Sequence, residues 1–182
     1  MFEEYAGQRV LELFFAEPFR EFHLREAARK ANVSAPTAKI QLDRFCGAGL
    51  IEKHKKANLS LFKANTKSKR FQLLKTAHFL GKLEKSGLIE EIKKKISPQA
   101  LVLFGSTARG EDSKESDIDL LAITKKKQAI EIGRFEKKLG REINFICYSP
   151  VEWRKKVLED KPFYQRILIE GIVLAGELPV VE

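Results

Sequence analysis

The stretch Ala100–Thr124, ALVLFGSTARGEDSKESDIDLLAIT, decides the fold of the chain. It opens on an apolar run, Ala100 to Phe104, with the length and composition of a buried strand, and Gly105 breaks that run. Gly105 and Ser106 then bring two backbone N–H groups and a hydroxyl to one point, where Ser106-Thr107-Ala108-Arg109 can begin a helical turn. Glycine lets a bulky anion approach the backbone, and the start of a helix presents unpaired donors, so this turn is suited to phosphate. After a polar loop, Gly110 to Ser116, Asp117-Ile118-Asp119 heads a second apolar run, Leu120 to Ile123. Strand residues i and i+2 share a face about 7 Å apart, so both carboxylates leave one side while Ile118 enters the opposite packing layer. Like charges that close repel unless a cation lies between them, and Mg²⁺, or Mn²⁺ in its place, takes carboxylate oxygens together with substrate phosphates. A phosphate cradle followed by a carboxylate pair at this spacing is equipment for nucleotidyl transfer.

On Gly105-Ser106, Ala108-Arg109-Gly110 and Ser116-Asp117-Ile118-Asp119-Leu120 the chain resembles the polymerase-beta-like nucleotidyltransferases, whose signature is Gly-Ser…Asp-x-Asp, and within them the small prokaryotic minimal nucleotidyltransferases. The resemblance implies that Gly105 and Ser106, with Arg109 beside them, hold the phosphates of a nucleoside triphosphate, ATP favoured, and that Asp117 and Asp119 bind the divalent metal. It also implies a third carboxylate on the later strand Glu142-Ile143-Asn144-Phe145-Ile146, and the family's aspartate falls on Asn144. An amide neither carries the charge a metal favours nor accepts a proton as a carboxylate does. Glu142, two residues earlier on the same face, has the reach to substitute; its plainer reading is a solvated glutamate at a strand edge. The closing pattern, Phe163-Tyr164 then Ile169-Glu170-Gly171-Ile172-Val173-Leu174, extends the resemblance over Gly87 to Gly176. Family members act as antitoxins that transfer AMP to a partner toxin, usually a helical protein, so the resemblance implies a protein acceptor.

The chain has 182 residues, of which 43% are apolar and 32% charged, the balance of a folded soluble protein with one ordinary domain or two small ones. Residues 1–98 hold 20 Lys/Arg against 11 Asp/Glu, whereas residues 99–182 hold 14 of each. The whole net charge of +9 therefore sits in the first half, which points to an anionic partner for that half, nucleic acid before membrane surface. No apolar stretch is long enough to span a bilayer and the N-terminus is acidic, so a cytoplasmic location is expected, with no membrane partner. Cys46 and Cys147 are expected as buried free thiols, and the three histidines have no spacing for a zinc site.

The basic half has its own pattern. A helix from Glu3 to Ala16 ends at Glu17-Pro18, and a short extended piece, Phe19 to His23, leads into a helix over Leu24–Ala31. Asn32-Val33 makes a turn, Ser34 is the expected N-cap with Pro36 in the first turn, and a longer helix runs from Ala35 to Phe45. Two alternating runs, Leu50 to His54 and Leu59 to Ala64, flank the basic turn Lys55-Lys56-Ala57-Asn58. This order is similar to that of winged helix-turn-helix domains of archaeal and bacterial regulators. The second helix of the motif would enter the major groove with Thr37, Lys39, Gln41 and Arg44, while Lys53, Lys55 and Lys56 on the wing would meet phosphate.

The expected fold is therefore α+β: a mainly α winged helix-turn-helix domain at residues 1–65, a linker or dimerisation helix at 66–86, and a nucleotidyltransferase-like domain with a mixed sheet at 87–182. The helix at 66–86 offers Phe71, Leu73, Leu74, Ala77, Leu80 and Leu83 as an apolar side, suited to pairing two copies in a homodimer on two half-sites. A helix is also expected over Lys126–Leu139. Three readings follow: a metal-dependent nucleotidyltransferase carried on double-stranded DNA, a DNA-binding regulator that senses nucleotide after losing catalysis, and an adaptor whose two domains both bind protein. Tyr5, Tyr148 and Tyr164 are expected to be partly buried rather than modified.

Overall fold

Pro18 and Pro36 punctuate the first helices. A computed structural model of the chain describes residues 6–56 and 59–181, and these form two compact units, Met1–Lys75 and Thr76–Glu182. In the first unit α1 (Ala6–Ala16) stops just before Glu17-Pro18, β1 (Phe22–His23) follows, and α2 (Leu24–Lys30) turns through Asn32 at φ 51 into α3 (Ala35–Gly47). Ser34 caps α3 as expected, its Oγ accepting the Thr37 N–H at 3.2 Å, with Pro36 in the first turn. β2 (Ile51–Lys56) and β3 (Leu59–Ala64) pair antiparallel, and β1 joins them in the sheet order β1-β3-β2. Val10, Phe14, Phe22, Ala27, Leu42, Phe62 and Phe71 fill the core between helices and sheet. The expected order of three helices and a hairpin is thus present. Residues before Ala6, Tyr5 included, and the turn residues Ala57-Asn58 lie outside the described residues.

In the helix expected at 66–86, α4 (Lys69–Ser86), the boundary falls inside the element rather than beyond it. Phe71 belongs to the first core, while Phe79 and Leu83 belong to a core of the second unit. The buried side differs from the expected one: Leu73, Leu74 and Ala77 are exposed, whereas Lys75 and Thr76 are buried. The large anchors decide the rotation of the helix. Phe71, Phe79 and Leu83 are eight and four residues apart, a spacing that keeps them on one face, and that face carries Lys75 and Thr76 with it.

After Gly87, α5 (Leu88–Ile96) leads to β4 (Ala100–Phe104), the short α6 (Gly105–Arg109) and β5 (Ile118–Ile123). Then come α7 (Gly133–Leu139), β6 (Ile143–Tyr148), α8 (Pro150–Glu159), α9 (Lys161–Glu170) and β7 (Ile172–Gly176). The sheet order is β6-β5-β4-β7, with β5–β6 parallel and the other pairs antiparallel, so the sheet is mixed as expected. Strand alternation splits the strand side chains between two layers. Leu101, Leu103, Ile118, Leu120 and Ala122 pack with Leu83, Leu88, Ile92 and Phe135 on one face; Ala100, Val102, Leu121 and Ile123 pack with Trp153 and Ile167 on the other. The expected long helix before Gly140 is corrected to α7 alone, because residues 125–132 are irregular. Lys125-Lys126-Lys127 repel one another at the point where a helix would have to start, and Thr124 instead turns the chain, its Oγ1 donating to the Ile96 carbonyl at 2.6 Å and accepting the Lys126 N–H at 3.0 Å.

Candidate active site

β4, β5 and β6 deliver their ends to one place. β4 finishes at Phe104, opposite Asp119 near the start of β5, and Asp119 stands beside Asn144 near the start of β6. The row Phe104–Asp119–Asn144 thus crosses the sheet at the point where the chain leaves β4 for the Gly105-Ser106 turn. Gly105 has φ 75, a left-handed conformation that glycine adopts without cost. A Cβ there would lie 3.1 Å from Asp119 Cγ and closer still to Oδ2, so the absence of a side chain is what lets the turn sit against the carboxylate. The two motifs, separated in sequence by the 110–116 loop, abut.

Within the pair, Ile118 is fully buried, Asp119 is half-buried and Asp117 is exposed. Asn144 Nδ2 donates to Asp119 Oδ1 at 3.0 Å. The amide that takes the third position therefore touches the aspartate it was aligned with. Glu142 is exposed and sits just before β6; its carbonyl accepts the Ile118 N–H at 2.9 Å. Ser106 is half-buried in the first turn of α6. Arg109 is paired with two carboxylates: Nε donates to Glu111 and Nη1 to Glu170, each at 2.7 Å, and these bonds, Glu111 first, hold its pKa above the usual arginine value.

Whether these residues suit a divalent cation can be judged from their donors. Among the described residues no group of three or more His, Cys, Asp or Glu gathers to hold a metal alone. Two carboxylates next to a phosphate-sized turn nevertheless match the habit of Mg²⁺, which takes one or two carboxylates and completes its shell with phosphate and water. The Asn144 side chain adds an oxygen if its amide turns, and its present orientation is the one that satisfies Asp119 when no cation competes.

The residues expected to meet DNA separate into two groups. Lys39 and Arg44 share the exposed face of α3 with Pro36, Ile40 and Asp43, and Lys55 and Lys56 are exposed on β2. Lys53 lies 3.8 Å from Asp43 and over the ring of Phe62. Thr37 and Gln41 turn elsewhere: Thr37 Oγ1 is 2.7 Å from Ser34 Oγ, and Gln41 lies over Gly7, where an added Cβ would meet its Oε1 at 2.8 Å. Ile40, beside them near the start of α3, is 59% exposed.

The second unit is a mixed sheet with helices on both faces, and it brings the glycine-serine turn and Asp119 together at the ends of β4 and β5. Residues 85–174 match the family described as nucleotidyltransferase domain, an interval that contains the turn, both aspartates and Asn144. No curated protein and no solved structure matches the chain significantly. Among the described residues no helix is long and apolar enough to cross a membrane.

Proposed function

We propose that the protein transfers a nucleoside monophosphate, AMP favoured, from a nucleoside triphosphate to a protein acceptor, and that its first unit is a winged helix-turn-helix that binds double-stranded DNA. The observation that supports the transfer reading is the packing of Gly105 against the Asp119 carboxylate. Gly105 and Ser106 bind and orient the triphosphate through backbone N–H groups and the hydroxyl, and Asp117 and Asp119 hold Mg²⁺ or Mn²⁺. The metal, when bound, neutralises charge on the triphosphate and on the attacking and leaving oxygens. Arg109 is already paired with Glu111 and Glu170, so the carboxylates compete with phosphate for its Nε and Nη1 donors. ATP, the protein acceptor and an antitoxin-like role beside a helical toxin follow from the resemblance to minimal nucleotidyltransferases. The test is transfer of label from α-labelled ATP, with Mg²⁺ or Mn²⁺, to the protein itself and to proteins it captures. Absence of labelling with all four nucleotides would sink the transferase reading.

A second reading is favoured by one contact. The Asn144 amide occupies Asp119 Oδ1, so the site has a hydrogen bond where a third carboxylate would sit, which suits a regulator that binds nucleotide without turnover. Asn144→Asp separates the two readings. In chelator the variant places a second carboxylate against Asp119 and should melt below the wild type. Added Mn²⁺ should restore it, by about 2.7 kcal/mol at a cation concentration a hundredfold above the dissociation constant. If transfer also rises, the wild-type site is an impaired enzyme; restored metal binding without transfer supports the sensor, and melting indifferent to Mn²⁺ counts against the metal assignment.

The DNA reading rests on the exposure of Lys39, Arg44, Lys55 and Lys56 in a unit, Met1–Lys75, that holds 15 Lys/Arg against 8 Asp/Glu and so carries +7 of the chain's net +9. Binding to duplex DNA should weaken with salt, and removing Lys55 and Lys56 should reduce the slope of log K against log salt by about 0.9 for each phosphate that is no longer neutralised. A slope unchanged by both substitutions would remove the wing from the interface. Homodimerisation on two half-sites belongs to the same reading; Leu73, 60% exposed, Leu74, 40% exposed, and the exposed Ala77 are the expected residues of α4 left to support it.

A further inference from the structure

We infer that Arg141 is a positioning residue that sets the distance between the phosphate turn and the aspartate pair, an inference that rests on the nucleotidyl-transfer reading of the site. Arg141 follows Gly140, the left-handed residue that ends α7, and lies two residues before the start of β6. Its side chain is only 9% exposed and its charge is met by Asp112, 7% exposed, with Nη1 to Oδ2 at 2.8 Å. The other donors of the guanidinium reach three further groups. Nε donates to the Ser116 carbonyl at 2.6 Å, and Nη2 donates to the Thr107 hydroxyl at 2.7 Å and to the Asp117 carbonyl at 3.0 Å. One face of the fork lies 5.2 Å from the Phe79 ring centroid.

These partners are the parts that must keep register for the site to work. Thr107 belongs to α6, which carries the Gly105-Ser106 turn; Asp112 and Ser116 belong to the loop; Asp117 is the first carboxylate of the pair. Thr107 Oγ1 also donates to the Asp117 carbonyl at 3.3 Å, which closes a small ring of hydrogen bonds through Arg141. The loop between turn and pair is polar and carries exposed Lys114 and Glu115, so it has little apolar burial of its own to fix its path. A planar fork with five donors can tie α6, the loop and Asp117 together at once; the compact ammonium of lysine cannot.

The experiment compares wild type with Arg141→Lys and Thr107→Val in the full chain. Arg141→Lys keeps the charge opposite Asp112 but loses the fork. Thr107→Val is near in shape and breaks the ring while leaving Arg141 and Asp112 in place, so it remains informative if the arginine variant fails to fold. Calorimetric titration with Mn²⁺ and with Mn²⁺·ATP, well below each variant's melting transition, is expected to show affinity lowered by about 10- to 100-fold in both variants. Variants that melt earlier yet bind Mn²⁺ and Mn²⁺·ATP as the wild type does would reduce Arg141 to a purely structural role and overturn the inference. A wild-type chain that binds neither probe would be a different failure: it overturns the nucleotidyl-transfer reading, and this inference with it.

Discussion

Asp119→Ala is expected to lower label transfer from α-labelled ATP by at least about a hundredfold, the scale on which loss of one preorganised electrostatic group acts at a reacting phosphate. The side chain stands in the row between Phe104 and Asn144, against the Gly105 turn that the proposal assigns to phosphate. Under the proposed reading, its removal leaves the exposed Asp117 as the sole carboxylate of the pair. Stability should change little. Asn144 loses an acceptor but is itself exposed and regains it from water, so about 1 kcal/mol bounds the effect on folding. Circular dichroism and thermal melting check the fold, and Mn²⁺ titration checks the metal. Undiminished transfer by a folded Asp119→Ala chain would remove Asp119 from the reaction and take the assignment of the pair with it.

The elements of this site were legible because each carries a local signal. The run Ala100 to Phe104 is apolar without interruption, as a strand buried on both faces must be, and both layers of the sheet cover it. Ile118 between two aspartates announces the alternation that buries it completely. Ser34 announces a helix start and caps as its position requires, its hydroxyl accepting the Thr37 N–H. Arg141 had no such signal. A basic residue next to a glycine and before a strand looks like a solvated turn, and its burial depends on Asp112, Thr107 and Ser116 arriving from elsewhere in the chain. The rotation of α4 was hidden for a related reason. Its leucines outnumber its anchors, and only the cores they meet decide that Phe71 and Leu83 go inside while Leu73 stays out. On α3 Thr37 and Gln41 read as groove contacts, and the local surroundings of each, the Ser34 hydroxyl at 2.7 Å from Thr37 and Gly7 beside Gln41, carry no periodic signal. Periodicity reports which residues share a face; it does not report which polar side chain a neighbour will capture.

Gly105→Ala should damage the site more than its size suggests, because two independent costs fall on one methyl group. At φ 75 a non-glycine residue pays about 1–2 kcal/mol for the left-handed conformation. The new Cβ also enters the space of the Asp119 carboxylate, 3.1 Å from its Cγ, so either the turn or the aspartate must move. Asp119 cannot retreat along the sheet, since β5 is held on both sides by β4 and β6. The displacement therefore falls on the relation between phosphate turn and carboxylate, the quantity on which in-line transfer depends. A shift of about 1 Å in such a relation costs on the order of a hundredfold in rate. Ser106→Ala is the matched control: it removes one hydroxyl and leaves the backbone donors and the aspartates in place, so its loss should be the smaller of the two. Measured side by side, Gly105→Ala should show a lower melting temperature and transfer reduced about a hundredfold, with Mn²⁺ affinity reduced as well because Asp119 is displaced. Full transfer by Gly105→Ala would mean that the turn does not carry the phosphates, and the substrate would then have to approach Asp117 and Asp119 from another side of the sheet edge.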